Sequence, residues 1–147
     1  MRSVLLLVAL ASLLSACGTC DTRGQQPIEY RGGKPHLDGE TPWYETSEAG
    51  GEYLHFPAGR RFDLMHGLGR PPEKFTSYVS FERVPGTGDD SGEENTGNFA
   101  EASGNIVVYE CLDENRVRVR NDTCAEFYLR VVLEAPGNSS PGLRACE

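Results

Sequence analysis

Arg116-Val117-Arg118-Val119-Arg120 alternates charged and apolar side chains without a break. That period of two marks a strand with one face in a core and the other in water. The same period runs through Ala125–Leu133, where Phe127, Leu129, Val131 and Leu133 share a face, and Asn105–Cys111 reads as a third such strand. Upstream, Phe62 and Leu64 alternate with Arg61 and Asp63 within Arg60–Met65. Glu52–Phe56 precedes that run across Pro57-Ala58-Gly59, which predicts a hairpin. In Phe75–Phe81 the pattern puts Phe75, Val79 and Phe81 on one face and Tyr78 and Ser80 on the other. No stretch downstream of residue 16 combines helical period with capping residues. The expected fold is therefore all-β, an antiparallel β-sandwich of about six to eight strands.

The N-terminus follows a different rule. Met1-Arg2 is followed by an apolar run, Val4–Leu14. That run is too short to cross a hydrocarbon core of ~30 Å as a helix, and it fits the apolar region of an export signal. It meets Leu14-Ser15-Ala16-Cys17, which resembles the bacterial lipobox. The resemblance implies that residues 1–16 are a lipoprotein signal peptide and that Cys17 becomes the acylated first residue of the mature chain. Two or three acyl chains, palmitate among them, would make the anchor effectively permanent. The implied location is the cell envelope, with Gly18 permitting sorting to the outer membrane where two membranes exist.

Residues 17–42 are rich in Gly, Pro, Gln and Thr and lack an apolar period, so a flexible tether is expected there. The sandwich is expected over 43–135, followed by a tail, 136–147, held by a disulfide. Residues 85–98 are acidic and Gly-rich, the composition of a long loop. Within it Asp89, Asp90, Glu93, Glu94 and Asn95 offer oxygen ligands, but without the register and terminal Glu of a calcium loop.

Charge narrows the partners. Fourteen basic side chains stand against 22 acidic ones, for a formal net charge of −8. Losing Arg2 with the signal takes the mature chain to about −9, a field that disfavours nucleic acid. The expected partners are the membrane, through the lipid, and an envelope glycan or protein.

The five cysteines support export. With Cys17 acylated, Cys20, Cys111, Cys124 and Cys146 remain, an even set that predicts two disulfides. Cys17-Gly18-Thr19-Cys20 has the C-x-x-C redox spacing, yet its first sulfur is the acylated one and no helix follows. If the last three strands form a meander, Cys111 and Cys124 lie at opposite ends of a strand, roughly 16 Å apart against a limit near 7 Å. That leaves 20–124 with 111–146, or 20–111 with 124–146. The side on which the final strand ends favours 111–146.

Candidate binding residues are few. Arg116, Arg118 and Arg120 line one strand face, with Arg130 and Tyr128 opposite the core stripe of the next, and arginines so placed read phosphate or carboxylate groups. The competing reading is a face paired with Glu110 and Glu126. Trp43 and Tyr44 could stack on a sugar or plug the open end of the sandwich. His66, in a Gly- and Pro-rich loop, is the one candidate general base. His36, His55 and His66 lack zinc spacing, and no G-x-S-x-G elbow occurs, so neither catalytic residues nor metal nor cofactor is expected. His66-Gly67-Leu68-Gly69-Arg70-Pro71-Pro72 with the aromatic strand after it is similar to segments of phage-tail and H-type-lectin β-sandwiches. The resemblance spans about 16 residues and carries no functional residue across. The function expected is non-enzymatic: a membrane-tethered envelope lipoprotein with a binding or structural role. A carbohydrate-binding lectin-like module and an envelope hydrolase using His66 are the alternatives.

Overall fold

The computed structural model describes residues 20, 24–85, 99–102, 104–137 and 144–146. The expected signal peptide and lipobox, and most of the expected acidic loop, lie outside them.

Ten strands form among these residues: β1 (Ile28–Tyr30), β2 (Lys34–His36), β3 (Trp43–Glu45), β4 (Leu54–Phe56), β5 (Arg61–Met65), β6 (Lys74–Ser80), β7 (Phe99–Glu101), β8 (Val107–Leu112), β9 (Arg116–Asn121) and β10 (Phe127–Glu134). They make two sheets, one in the order β1-β5-β9-β8 and one in the order β2-β3-β10-β6-β7, with β4 also on β10. All pairings are antiparallel except β1 with β5. The fold is a β-sandwich. Phe62, Leu64, Val107, Val117 and Val119 of one sheet and Tyr44, Phe56, Val79, Leu129, Val131 and Leu133 of the other form its core. Burial alternates perfectly along β9 and β10, as their sequence period requires.

Four expectations are corrected. Residues 28–36, read as tether, supply β1 and β2, which takes the strand number to ten. Their three-residue strands have mostly exposed side chains, so they show no period and are held by backbone pairing. The hairpin over Pro57-Ala58-Gly59 does not form: β4 pairs with β10 and β5 with β9, so the turn carries the chain between sheets. Arg60 N donates to Pro57 O at 3.1 Å and Gly59 takes φ 67°, while the Phe56 and Phe62 rings meet inside at 5.9 Å. Phe81 lies past the end of β6 and is 76% exposed, because the core ends there. The last three strands are not a meander, since β9 and β10 belong to different sheets.

The disulfides are Cys20–Cys124 and Cys111–Cys146, the assignment favoured above although the meander premise fails. A β-bulge explains how Cys111 becomes available. Tyr109 pairs with Val119 but Cys111 pairs with Arg118, so Glu110 is the extra residue. The bulge changes the phase of the strand, sending Leu112 into the core beside Val117 and leaving Cys111 to meet the C-terminal tail. Leu112 N donates to Arg144 O at 3.0 Å, adding a backbone bond next to the bridge.

Candidate functional site

The arginine face is closed by carboxylates. Arg118 donates Nε and Nη2 to the two oxygens of Asp63 at 2.6 and 2.9 Å. Arg116 reaches Asp113 at 3.1 Å and Asp63 at 3.3 Å. Arg120 binds Glu110 at 2.7 Å and also pairs with Asp122. Donating to Asp63 pushes the Arg118 guanidinium above its ordinary range, with burial opposing. Arg130 lies in the other sheet, donating Nη2 to Glu45 at 3.0 Å and Nε to the Ser47 carbonyl at 2.9 Å. The four arginines therefore neither form one patch nor present free guanidinium groups, and the expected anion site is withdrawn. Their strand period was legible and Glu110 is the partner expected for this face, whereas Glu126 pairs with His55. Asp63 of β5, Asp113, Asp122 and Glu45 of β3 are acceptors that alternation does not reveal.

Trp43 and Tyr44 do not form a sugar-binding shelf. Tyr44 is fully buried, and a Cβ at Gly33 would collide with its hydroxyl end, so glycine is required there. Burial pushes the Tyr44 phenol well above its ordinary range, with Tyr30 adding to the effect. Trp43 stacks on His36, ring centroids 3.6 Å apart and planes parallel.

His66 is also fully buried. Its Nδ1 accepts the Leu68 N–H at 3.2 Å, so Nε2 carries the proton and donates to the Asp113 carbonyl at 3.2 Å. Burial pushes its pKa below 6.5, with the Asp113 carbonyl and carboxylate opposing. Both ring nitrogens are engaged with the local backbone. The ring ties the turn after β5 to the β8–β9 turn.

A different site emerges where β3 and β4 share one edge of β10. Glu45 pairs with Val132 and Leu54 with Leu129, so residues 46–53 span only two positions of β10 and must leave the sheet. Thr46 extends the ladder by one residue: its N–H donates to Val131 O at 3.0 Å, and its Oγ1 accepts the Val131 N–H at 2.9 Å. Arg130 then holds the excursion at Ser47, and Tyr53 N donates to Arg83 O at 2.7 Å where it returns.

Beside this excursion lies a groove of about 470 Å³, within the range of small-ligand sites. Tyr30, Tyr53, Tyr128 and His55 contribute aromatic walls, with Leu54 between them and Glu52 and Arg83 at the rim. The His55 and Tyr128 rings lie 5.5 Å apart, tilted by 42°. Tyr30 Oη donates to the Thr46 carbonyl at 3.0 Å, fixing its ring. Burial raises the phenol pKa of Tyr30 and of Tyr53, so both stay protonated at neutral pH. Glu52 and Arg83 pair at 2.7 Å, with side chains 63% and 65% exposed. An ion pair this exposed is weakly held, and both groups can turn to a ligand at little cost. Of these residues, sequence reasoning singled out only Tyr128 as a binding candidate, because the others come from three separated segments. The one local signal was Tyr53-x-His55, an aromatic pair at strand spacing.

Among the described residues no group of three or more His, Cys, Asp or Glu side chains could hold a metal ion, and no helix is long and apolar enough to cross a membrane. No protein-family model matches the chain, nor does any curated protein or solved structure.

Proposed function

We propose that this protein is a lipid-anchored, non-enzymatic binding protein of the bacterial cell envelope that takes a short saccharide in the tyrosine-lined groove. The observation that carries the reading is the groove's composition: three tyrosines and a histidine around about 470 Å³, with a carboxylate and a guanidinium at the rim. Sugar rings pair apolar C–H faces with hydroxyl edges. Aromatic side chains serve the faces, and phenol, carboxylate and guanidinium groups serve the edges. The apolar run and lipobox at Cys17 support the anchor, and two disulfides fit an oxidising compartment.

The test is a glycan array probed with the lipid-bearing protein in detergent, followed by titration of the best ligand. Tyr128→Ala should weaken binding at least about tenfold, as loss of an aromatic anchor does, without changing the thermal midpoint much. Binding unaffected by Tyr128→Ala and Arg83→Ala together would refute the groove. Independently, Cys17→Ser should abolish acyl labelling and free the protein from membranes, because a hydroxyl does not replace the acylated thiol.

A further inference from the structure

Cys20 stands three residues after the proposed acylated Cys17 and is bonded to Cys124. Three residues extend to roughly 10–11 Å. Adding the 5.2 Å between the Cα atoms of Cys20 and Cys124 puts Cys124 within about 16 Å of the lipid-bearing residue. Without the bridge the domain would begin at β1, Ile28, eleven residues from Cys17 and up to about 40 Å away. The disulfide therefore bypasses most of the tether and decides which end of the sandwich faces the anchor.

That end is built from the Asn121–Ala125 turn and the start of β10. Gly59 N donates to Thr123 O at 3.1 Å and Asp122 N to Ile106 O at 3.0 Å, so the 57–60 turn and the entry to β8 lie with it. Phe81 is there too, its ring 5.2 Å from that of Phe127, the first residue of β10. With 76% of its surface exposed it is the most exposed large apolar side chain among the described residues. Exposed charges nearby are net acidic, Arg83 against Asp122 and Glu126. Because Ser80 pairs with Phe99, the acidic sequence between them starts and ends here, so this end suits a zwitterionic surface and not an anionic one. An aromatic ring held within reach of an acyl anchor meets the bilayer interface, where such rings partition favourably.

We propose that the Cys20–Cys124 bridge seats this end of the sandwich, Phe81 foremost, on the phospholipid surface that holds Cys17. The inference rests on the lipid-anchor reading. In this orientation the opposite end of β10 points away: Trp43 pairs with Glu134, seven residues beyond Phe127 and so roughly 23 Å further from the membrane.

Trp43 is the only tryptophan, which gives the test a built-in far-end probe. The lipid-bearing protein is reconstituted into phosphatidylcholine vesicles with or without bromine on the acyl chains near the headgroups. Emission is compared for Trp43 and for Phe81→Trp made together with Trp43→Phe. Bromine should quench the Phe81→Trp probe several-fold more than Trp43. Two changes should each reduce it to the Trp43 level while the protein still floats with the vesicles. One is Cys20→Ser with Cys124→Ser; the other keeps the bridge but inserts ten Gly/Ser residues between Gly18 and Thr19. Equal quenching at the two probes would overturn the orientation, and quenching at position 81 that survives the insertion would overturn the bridge as what imposes it. Protein that fails to float at all would overturn the anchor reading, and the orientation with it.

Discussion

Arg118 and Asp63 face each other on adjacent strands in direct register, joined by two hydrogen bonds of 2.6 and 2.9 Å between fork and carboxylate. Asp63 also accepts from Arg116 at 3.3 Å, so one carboxylate serves two guanidinium groups. Their side chains are between 12% and 27% exposed, deep enough to escape much of the screening that weakens surface pairs. The outer face of this sheet is thus a paired network, and its chemistry is directed inward.

Asp63→Ala should therefore destabilise the fold by about 1–3 kcal/mol, less than a fully buried pair would lose because solvent still reaches both partners. Adding Arg118→Ala to Asp63→Ala should cost little more, since the first change has already removed the shared interaction. Urea melts of the two single variants and the double variant measure this. Additive losses would mean that the two residues are not coupled.

His66 makes stability depend on pH. Its folded pKa lies below its ordinary 6.5 because burial disfavours the imidazolium. The unfolded chain then takes up a proton that the folded one refuses. The His66 contribution is fully present above about pH 6.5 and declines as pH falls toward the lowered value. His66→Gln should flatten this part of the curve. It should also cost about 1–3 kcal/mol at pH 7.5, as a buried polar residue that loses its partners does. Chemical denaturation between pH 7.5 and pH 5 reads both effects, and an unchanged slope in the variant would refute the assignment.

The two disulfides should contribute unequally. Cys20–Cys124 closes a separation of 104 residues and Cys111–Cys146 one of 35. Chain entropy makes the first worth about 4–5 kcal/mol and the second about 3–4 kcal/mol. Paired Cys→Ser variants, compared by thermal melts in the presence of oxidant, test the order. A larger loss from the Cys111–Cys146 pair would mean that the bulge at Glu110 depends on the tail.

The strands that the sequence announces are those whose side chains face two environments. β9 and β10 alternate because each has one face in the core, and that contrast is written in residue type. β5 shows it in Phe62 and Leu64 against Arg61 and Asp63, while the bulge breaks it in β8. β1 and β2 were invisible, since three-residue strands with mostly exposed side chains offer no contrast to read. The even set of four cysteines announced two disulfides, but their pairing was reached through a meander that the two sheets do not form.

Tertiary structure alone decided which strands pair. A period of two fits either sheet equally well, so nothing local tells β4 to join β10 rather than β5. The same limit hid the fate of the arginines: alternation puts Arg118 on the outer face, but only register places Asp63 opposite it. The groove was furthest from view. Tyr30, Tyr53, Arg83 and Tyr128 meet because residues 46–53 must leave the edge of β10, and that follows from the unequal lengths of two chain segments, which no single stretch of sequence records.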